Sequence, residues 1–184
     1  MKTLDSQKDA SKKTIDALEA KIQMLELNIE GLKTKDLYLE AYSRRENIKF
    51  MNIEEEEDED VEETIRRFLR DKLHYKDFDK VEFQRIHRNP AKKNPFQGRP
   101  RPILARFLRS KDCEYIMSLG RHLKGTDYQM FIDLPTELVN RRKLQMDIYK
   151  KAKANRIPAA FSKSEPDKLY IRGKLWPVGQ ELEV

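Results

Sequence analysis

A chain of 184 residues with 38% hydrophobic and 38% charged side chains and a mean hydropathy of −0.86 has room for one or two small cores under a heavily ionic surface. Nowhere does it run to the roughly 18 consecutive apolar residues of a membrane span. Residues 1–20 hold no apolar leader and Cys113 is the single cysteine, so an internal disulfide and a cysteine-rich zinc site are excluded and a soluble, intracellular protein is expected.

The net charge of +6 is unevenly divided. Residues 1–42 carry 7 basic and 8 acidic groups, residues 43–80 carry 9 and 13, and residues 81–184 carry 22 and 11. A polycationic C-terminal half points to a polyanionic partner, nucleic acid before an acidic membrane surface.

The first element is a helix whose apolar residues, Ile15, Leu18, Ile22, Leu25, Ile29, Leu32 and Leu39, alternate in steps of three and four until Asp36 interrupts them. With Ile at heptad position a and Leu at d, this stripe is too narrow for a globular core and suits a sister helix, so residues 1–42 are expected to form an oligomerising coiled coil. Lys21 at g and Glu26 at the following e have the spacing at which parallel neighbours pair charges. Ile at a with Leu at d favours two strands by packing geometry.

Beyond it, Arg44 and Arg45 are either solvated linker or phosphate contacts. Glu46 to Ile53 reads as a strand, ended by the acidic run 54–60, which is a solvated helix lead-in rather than a metal site. Val61 to Tyr75 reads as an amphipathic helix turning Val61, Ile65, Phe68, Leu69 and Leu73 inward. Val81 to Arg88 is a second strand, carrying Arg85 and Arg88. A basic loop rich in proline follows, with Lys92, Lys93, Arg99 and Arg101. In a third strand, Ile103 to Leu108, alternation places Ile103, Ala105 and Phe107 inward and Leu104 and Arg106 outward. Ser110 is read as the cap of a helix bearing Tyr115, Ile116 and Leu119, and Tyr128 to Ile132 as a fourth strand. The order strand, helix, strand, strand, helix, strand over residues 43–133 is the split βαβ arrangement, an antiparallel sheet with helices on one face, as in the RNA recognition motif. That motif places an aromatic at the second position of its first strand, where Lys49 stands here, and Arg106 replaces the stacking aromatics of the third strand. Such a sheet is expected to hold phosphates by charge rather than bases by stacking.

Residues 134–184 read as a small α/β lobe. Pro135 to Asn155 is expected to be one helix with Leu138, Leu144, Ile148 and Ala152 along its apolar side and Arg141, Arg142 and Lys143 elsewhere. Ile157 to Phe161 and Lys168 to Arg172 form a hairpin, and Gly173 turns into a last segment with Lys174 and Trp176. Trp176 and Tyr170 are candidates for either base stacking or core. The fold class is therefore α+β: a coiled coil, an RNA-recognition-motif-like domain and a C-terminal lobe.

From residue 15 to 176 the chain resembles the first-open-reading-frame protein of LINE-type retrotransposons, the LINE transposase domain family. The resemblance rests on residues 43–49 (Ser-Arg-Arg-Glu-Asn-Ile-Lys), 85–88, 99–107, 133–144 and 168–174 in that order. It implies a parallel homotrimer, where helix packing alone favours two strands. Residues 21–26 also match, with Lys21 in place of the usual arginine, a pattern that specifies trimers. It further implies that the central domain and the lobe together clasp single-stranded RNA, the element transcript, or DNA. Packaging and strand-annealing activity within cytoplasmic, and also nuclear, ribonucleoprotein particles would follow, with no cofactor and no catalytic site. The resemblance favours Arg142 over Arg141 as the phosphate-gripping residue. His74, His87 and His122 sit in different elements without metal-ligand spacing, and no Gly-rich phosphate loop exists. The second reading is an oligomeric host interaction protein of retroelement origin without a nucleic-acid role.

Overall fold

The computed structural model of the chain describes residues 2–89 and 100–182, with side chains from Ser11 onward. A single helix, α1 (Lys2–Ser43), extends for about 63 Å at 1.5 Å per residue. Every seam residue from Ile15 to Leu39 is between 47% and 66% exposed, because no other part of the described chain covers that stripe. The last turns differ. Ala41 is buried, and the Tyr38 hydroxyl donates to Asp167 Oδ1 at 2.8 Å, so the end of α1 belongs to the folded body.

That body holds β1 (Asn47–Met51), α2 (Val61–Asp71), β2 (Phe83–Arg88), β3 (Ile103–Phe107), α3 (Ser110–Ser118) with a 3-10 turn at Leu119–Leu123, and β4 (Gln129–Ile132). The strands form one antiparallel sheet in the order β2-β3-β1-β4. Period-two alternation sends Ile48, Phe50, Ile103, Ala105 and Phe107 to one face. There they pack under Ile65, Phe68 and Leu69 of α2 and Cys113 and Ile116 of α3. Asp60 caps α2, accepting from the Glu62 and Glu63 amides at 2.9 and 3.1 Å, so the acidic run supplies both the cap and a favourable charge at the positive end of the helix. Asn47, Lys49, Leu104 and Arg106 lie on the opposite face, away from α2 and α3.

The helix α3 departs from its sequence reading. Ser110 is its first residue rather than its cap, with Arg109 in the capping position and no side-chain bond made there. Tyr115 is exposed, its ring 5.4 Å from that of Tyr75, and Cys113 takes the buried place beside Ile116.

In the lobe the expected single helix is two, α4 (Thr136–Lys143) and α5 (Met146–Ala154). The break falls at Leu144 and Gln145. Gln145 turns inward, donating from Nε2 to the Asp167 carbonyl at 3.1 Å, and Leu144 is left 70% exposed instead of joining the apolar side. Only after this bend can Ile148 and Ala152 reach the second core, with Ile157, Leu169 and Ile171. Strands β5 (Ala159–Phe161), β6 (Leu169–Ile171) and β7 (Lys174–Leu175) form a three-stranded antiparallel sheet. Arg172 and Gly173, at φ 52° and 77°, make the two-residue turn between β6 and β7. Trp176 packs against this core and donates to the Gln180 carbonyl at 3.0 Å, the structural alternative for that residue.

Candidate nucleic-acid interface

The pairing register arranges the uncovered sheet face into two rows. Phe131, Lys49, Leu104 and His87 stand side by side across β4, β1, β3 and β2, and Asn47, Arg106 and Arg85 form the row beside them. Asp133 follows β4 next to Asn47: its amide donates to the Asn47 carbonyl at 3.2 Å.

The cations here are held by carboxylates. Lys49 Nζ is 3.2 Å from Asp133 Oδ1, and Arg44 lies 3.8 Å from Asp133 Oδ2 while also pairing with Glu40 one turn back on α1. Asp133 is only 6% exposed and accepts a further hydrogen bond from Asn47 Nδ2 at 3.1 Å. Glu46 serves two arginines, Arg45 at 2.8 Å and Arg106 at 3.5 Å; the Arg45 guanidinium also stacks 4.0 Å from the Tyr42 ring centroid. Among the described residues, Arg85 is the cation of this face without a carboxylate partner, and it stands opposite Arg106 on the neighbouring strand.

Arg88 is turned inward and buried. It is 7% exposed, chelates Glu59 with two nitrogens, and donates to the carbonyls of Ile53, Glu54 and Arg101. A guanidinium has five N–H groups in a fixed fork, and here they tie the end of β2 to the chain after β1. The sequence reading of Arg88 as a binding residue is therefore replaced by a structural role. Alternation along a strand marks only the side a residue leaves from; Arg88 follows the inward register position and buries its charge against a carboxylate on the acidic run. Arg101 is likewise tied by its amide and its Nε to Glu55. Burial pushes the Glu55 carboxyl upward, but these two bonds and the Arg101 charge outweigh it and hold the group below the ordinary carboxylate value. Lys92, Lys93 and Arg99 lie outside the described residues.

The lobe is different. Arg141 is locked, 2.5 Å from Glu137, 3.5 Å from Asp167 and 3.8 Å from Glu30 on α1. With the Tyr38–Asp167 bond, whose burial and carboxylate partner push the Tyr38 hydroxyl well above its usual pKa, this network seats the lobe on the end of α1. Arg142 has no carboxylate within ion-pairing distance among the described residues. Its guanidinium lies 4.2 Å from the Phe161 ring centroid, and partial burial holds its pKa below the ordinary arginine value. Lys143 is exposed and donates to Asn140 Oδ1 at 3.4 Å, and Lys174 is exposed on β7. Lys150, Lys153, Arg156 and Arg172 also lack carboxylate partners among the described residues.

The chain matches no family model and no curated protein.

Phe131 is the surface residue that sequence reasoning missed. Its ring is 50% exposed on the same face as Lys49, beside the position where the sequence offers no aromatic. Period-two alternation through Gln129, Met130 and Phe131 was the available signal, since Met130 turns to the core and its neighbours therefore turn out. Elsewhere, folding brings the rings of His74 and His122 to 5.6 Å although they are far apart in sequence, and His122 Nδ1 contacts the Leu73 carbonyl at 2.8 Å. No group of three or more metal-ligating side chains occurs among the described residues. Burial, with Glu46 and Glu114 nearby, pushes the Cys113 thiol up to about 12, so it is a core thiol rather than a nucleophile at neutral pH. No helix among the described residues is long and apolar enough to cross a membrane.

Proposed function

We propose that this chain binds single-stranded RNA and DNA with little sequence preference and anneals strands as an oligomer, the role of the first-open-reading-frame protein in a LINE-type retrotransposon ribonucleoprotein particle. The observation that carries this reading is the set of lobe cations, Arg142, Lys143, Lys150, Lys153 and Lys174, that have no carboxylate partner among the described residues, in the same body as an uncovered sheet face. A cation already satisfied by a carboxylate must give up that partner to bind phosphate, whereas an unpaired one only releases water. Flexible lysines on several elements suit a backbone of variable path, and phosphate contacts carry no sequence information.

Oligomerisation through α1 supports annealing. The uncovered seam is what a sister helix would bury, and linked binding sites raise effective concentration along a strand. The deciding measurement is binding of the full chain to fluorescently labelled single strands over a range of salt. The logarithm of affinity is expected to fall linearly with that of salt, by about 0.7 per phosphate neutralised, so that four to six contacts give a slope of roughly −3 to −4. Absence of binding at low salt overturns the reading. Replacing Ile22 and Ile29 together by Asp is expected to give a monomer on sedimentation and to weaken binding to long strands by about a hundredfold.

A further inference from the structure

Between Arg44, Asp133 and the sheet on one side and Asn89 and Pro102 on the other lies a cavity of about 220 Å³. At roughly 30 Å³ per water this is room for about seven waters, which suits a single heterocycle rather than a chain of them. Leu104 forms an apolar floor, with His87 and Lys49 as its neighbours in the same row of the sheet. Nδ1 of His87 is buried without a hydrogen-bond partner, so any bond from this ring to a ligand runs through Nε2. Phe131 stands on the far side of Lys49 with half its surface open.

We infer that this cavity is a nucleobase-reading pocket that prefers guanine, with Phe131 supplying the stacking surface for the adjacent base. The inference rests on the single-strand binding proposed above and adds to it one position at which sequence matters. Its basis is the polarity of the lining. A phosphate site would present donors alone; here a carboxylate, Asp133, stands with Lys49 and Arg44 in one lining. Of the four bases, only guanine combines two adjacent N–H groups, N1–H and the N2 amino group, with the acceptors O6 and N7. A carboxylate takes the first pair and cations take the second. Asp133 accepts from Asn47 on Oδ2 and pairs with Lys49 on Oδ1 at 3.2 Å, with Arg44 3.8 Å from Oδ2; of about four acceptor sites this leaves one on each oxygen, the two that the paired N–H groups of guanine need. These same contacts hold the carboxylate in place before a base arrives.

Uracil and cytosine each lack one half of this pattern, and adenine offers a single exocyclic donor with no neighbouring N1–H. The contribution is one base contact among several phosphate contacts, so it tilts binding without making the chain sequence-specific.

The test uses the full, unmodified chain and short labelled RNA strands of uracil carrying isolated guanines, too few to form quadruplexes. A guanine-bearing strand is expected to bind about tenfold more tightly than the all-uracil strand. Strands with inosine in place of guanine lack only the N2 amino group, and they are expected to lose most of that advantage. In Asp133→Asn the ratio of guanine to uracil affinity is expected to fall toward one. The inosine arm needs no variant, so it stands even where Asp133→Asn unfolds. Equal binding of guanine, inosine and uracil strands, with steep salt dependence retained, overturns the pocket and leaves the single-strand reading standing. Failure of every strand to bind at low salt overturns both.

Discussion

The sheet face and the C-terminal lobe both carry many cations, yet most of those on the sheet stand against carboxylates and most of those on the lobe do not. On the sheet, Lys49, Arg44, Arg45 and Arg106 each stand against Asp133, Glu40 or Glu46, and Arg88 and Arg101 are tied down by Glu59 and Glu55. On the lobe, Arg142, Lys143, Lys150, Lys153 and Lys174 have no such partner among the described residues, while Arg141 stands against Glu137 and Asp167, Lys163 against Glu114 and Lys168 against Glu165. Counting basic residues does not tell a paired cation from a free one. Counting those free to meet an anion ranks the lobe first and leaves Arg85 as the sheet's contribution.

The largest effect lies at the paired extreme. Arg88→Ala leaves Glu59 and three carbonyls without their donor in a buried place, and is expected to cost about 3–5 kcal/mol of stability, measured by denaturant or thermal melting. If the melt is unchanged, the paired side of the comparison is not structural. Next in size, removing Lys143 and Lys174 together by alanine is expected to reduce the salt slope on uracil strands by about 1.4, two contacts at 0.7 each. Removing Lys49 and Arg106 together is expected to reduce it by much less, since both already sit on carboxylates. Equal reductions in the two double variants break the comparison.

Within the lobe, Arg142→Lys keeps charge but loses the planar fork stacked on Phe161, and is expected to weaken strand binding and annealing by about 1 kcal/mol. Arg141→Lys, measured beside it, is expected to leave affinity unchanged and to loosen the seat of the lobe on α1. The smallest effect concerns pH. The folded state holds Glu55 below its usual value, so the stability it contributes is present above about pH 4.5 and is lost as pH falls through its folded pKa. Glu55→Gln is therefore expected to lower stability near pH 7 by less than about 1 kcal/mol, a difference that shrinks in melts taken at progressively more acid pH.

Much of this was legible before folding. The heptad seam of α1, the strand and helix order of the central domain, the inward set Ile103, Ala105 and Phe107 and the positive-φ turn at Gly173 follow from local spacing, because a helix repeats every 3.6 residues, a strand every two, and a side chain's direction is set by its own backbone. The separation of charge between residues 43–80 and 81–184 is likewise a property of the chain alone. Tertiary structure decided which charges meet. Asp133 reaches Lys49 only because β4 pairs with β1, Glu59 reaches Arg88 only because the acidic run folds beside the end of β2, and Asp167 joins Tyr38 across 129 positions of sequence. It also broke the helix at Leu144, where turning Gln145 toward Asp167 won over continuing a regular apolar stripe. Periodicity is local and survives in any context; the neutralisation of a charge depends on a partner distant in sequence, and only the packed sheet and lobe bring the two within 4 Å of each other.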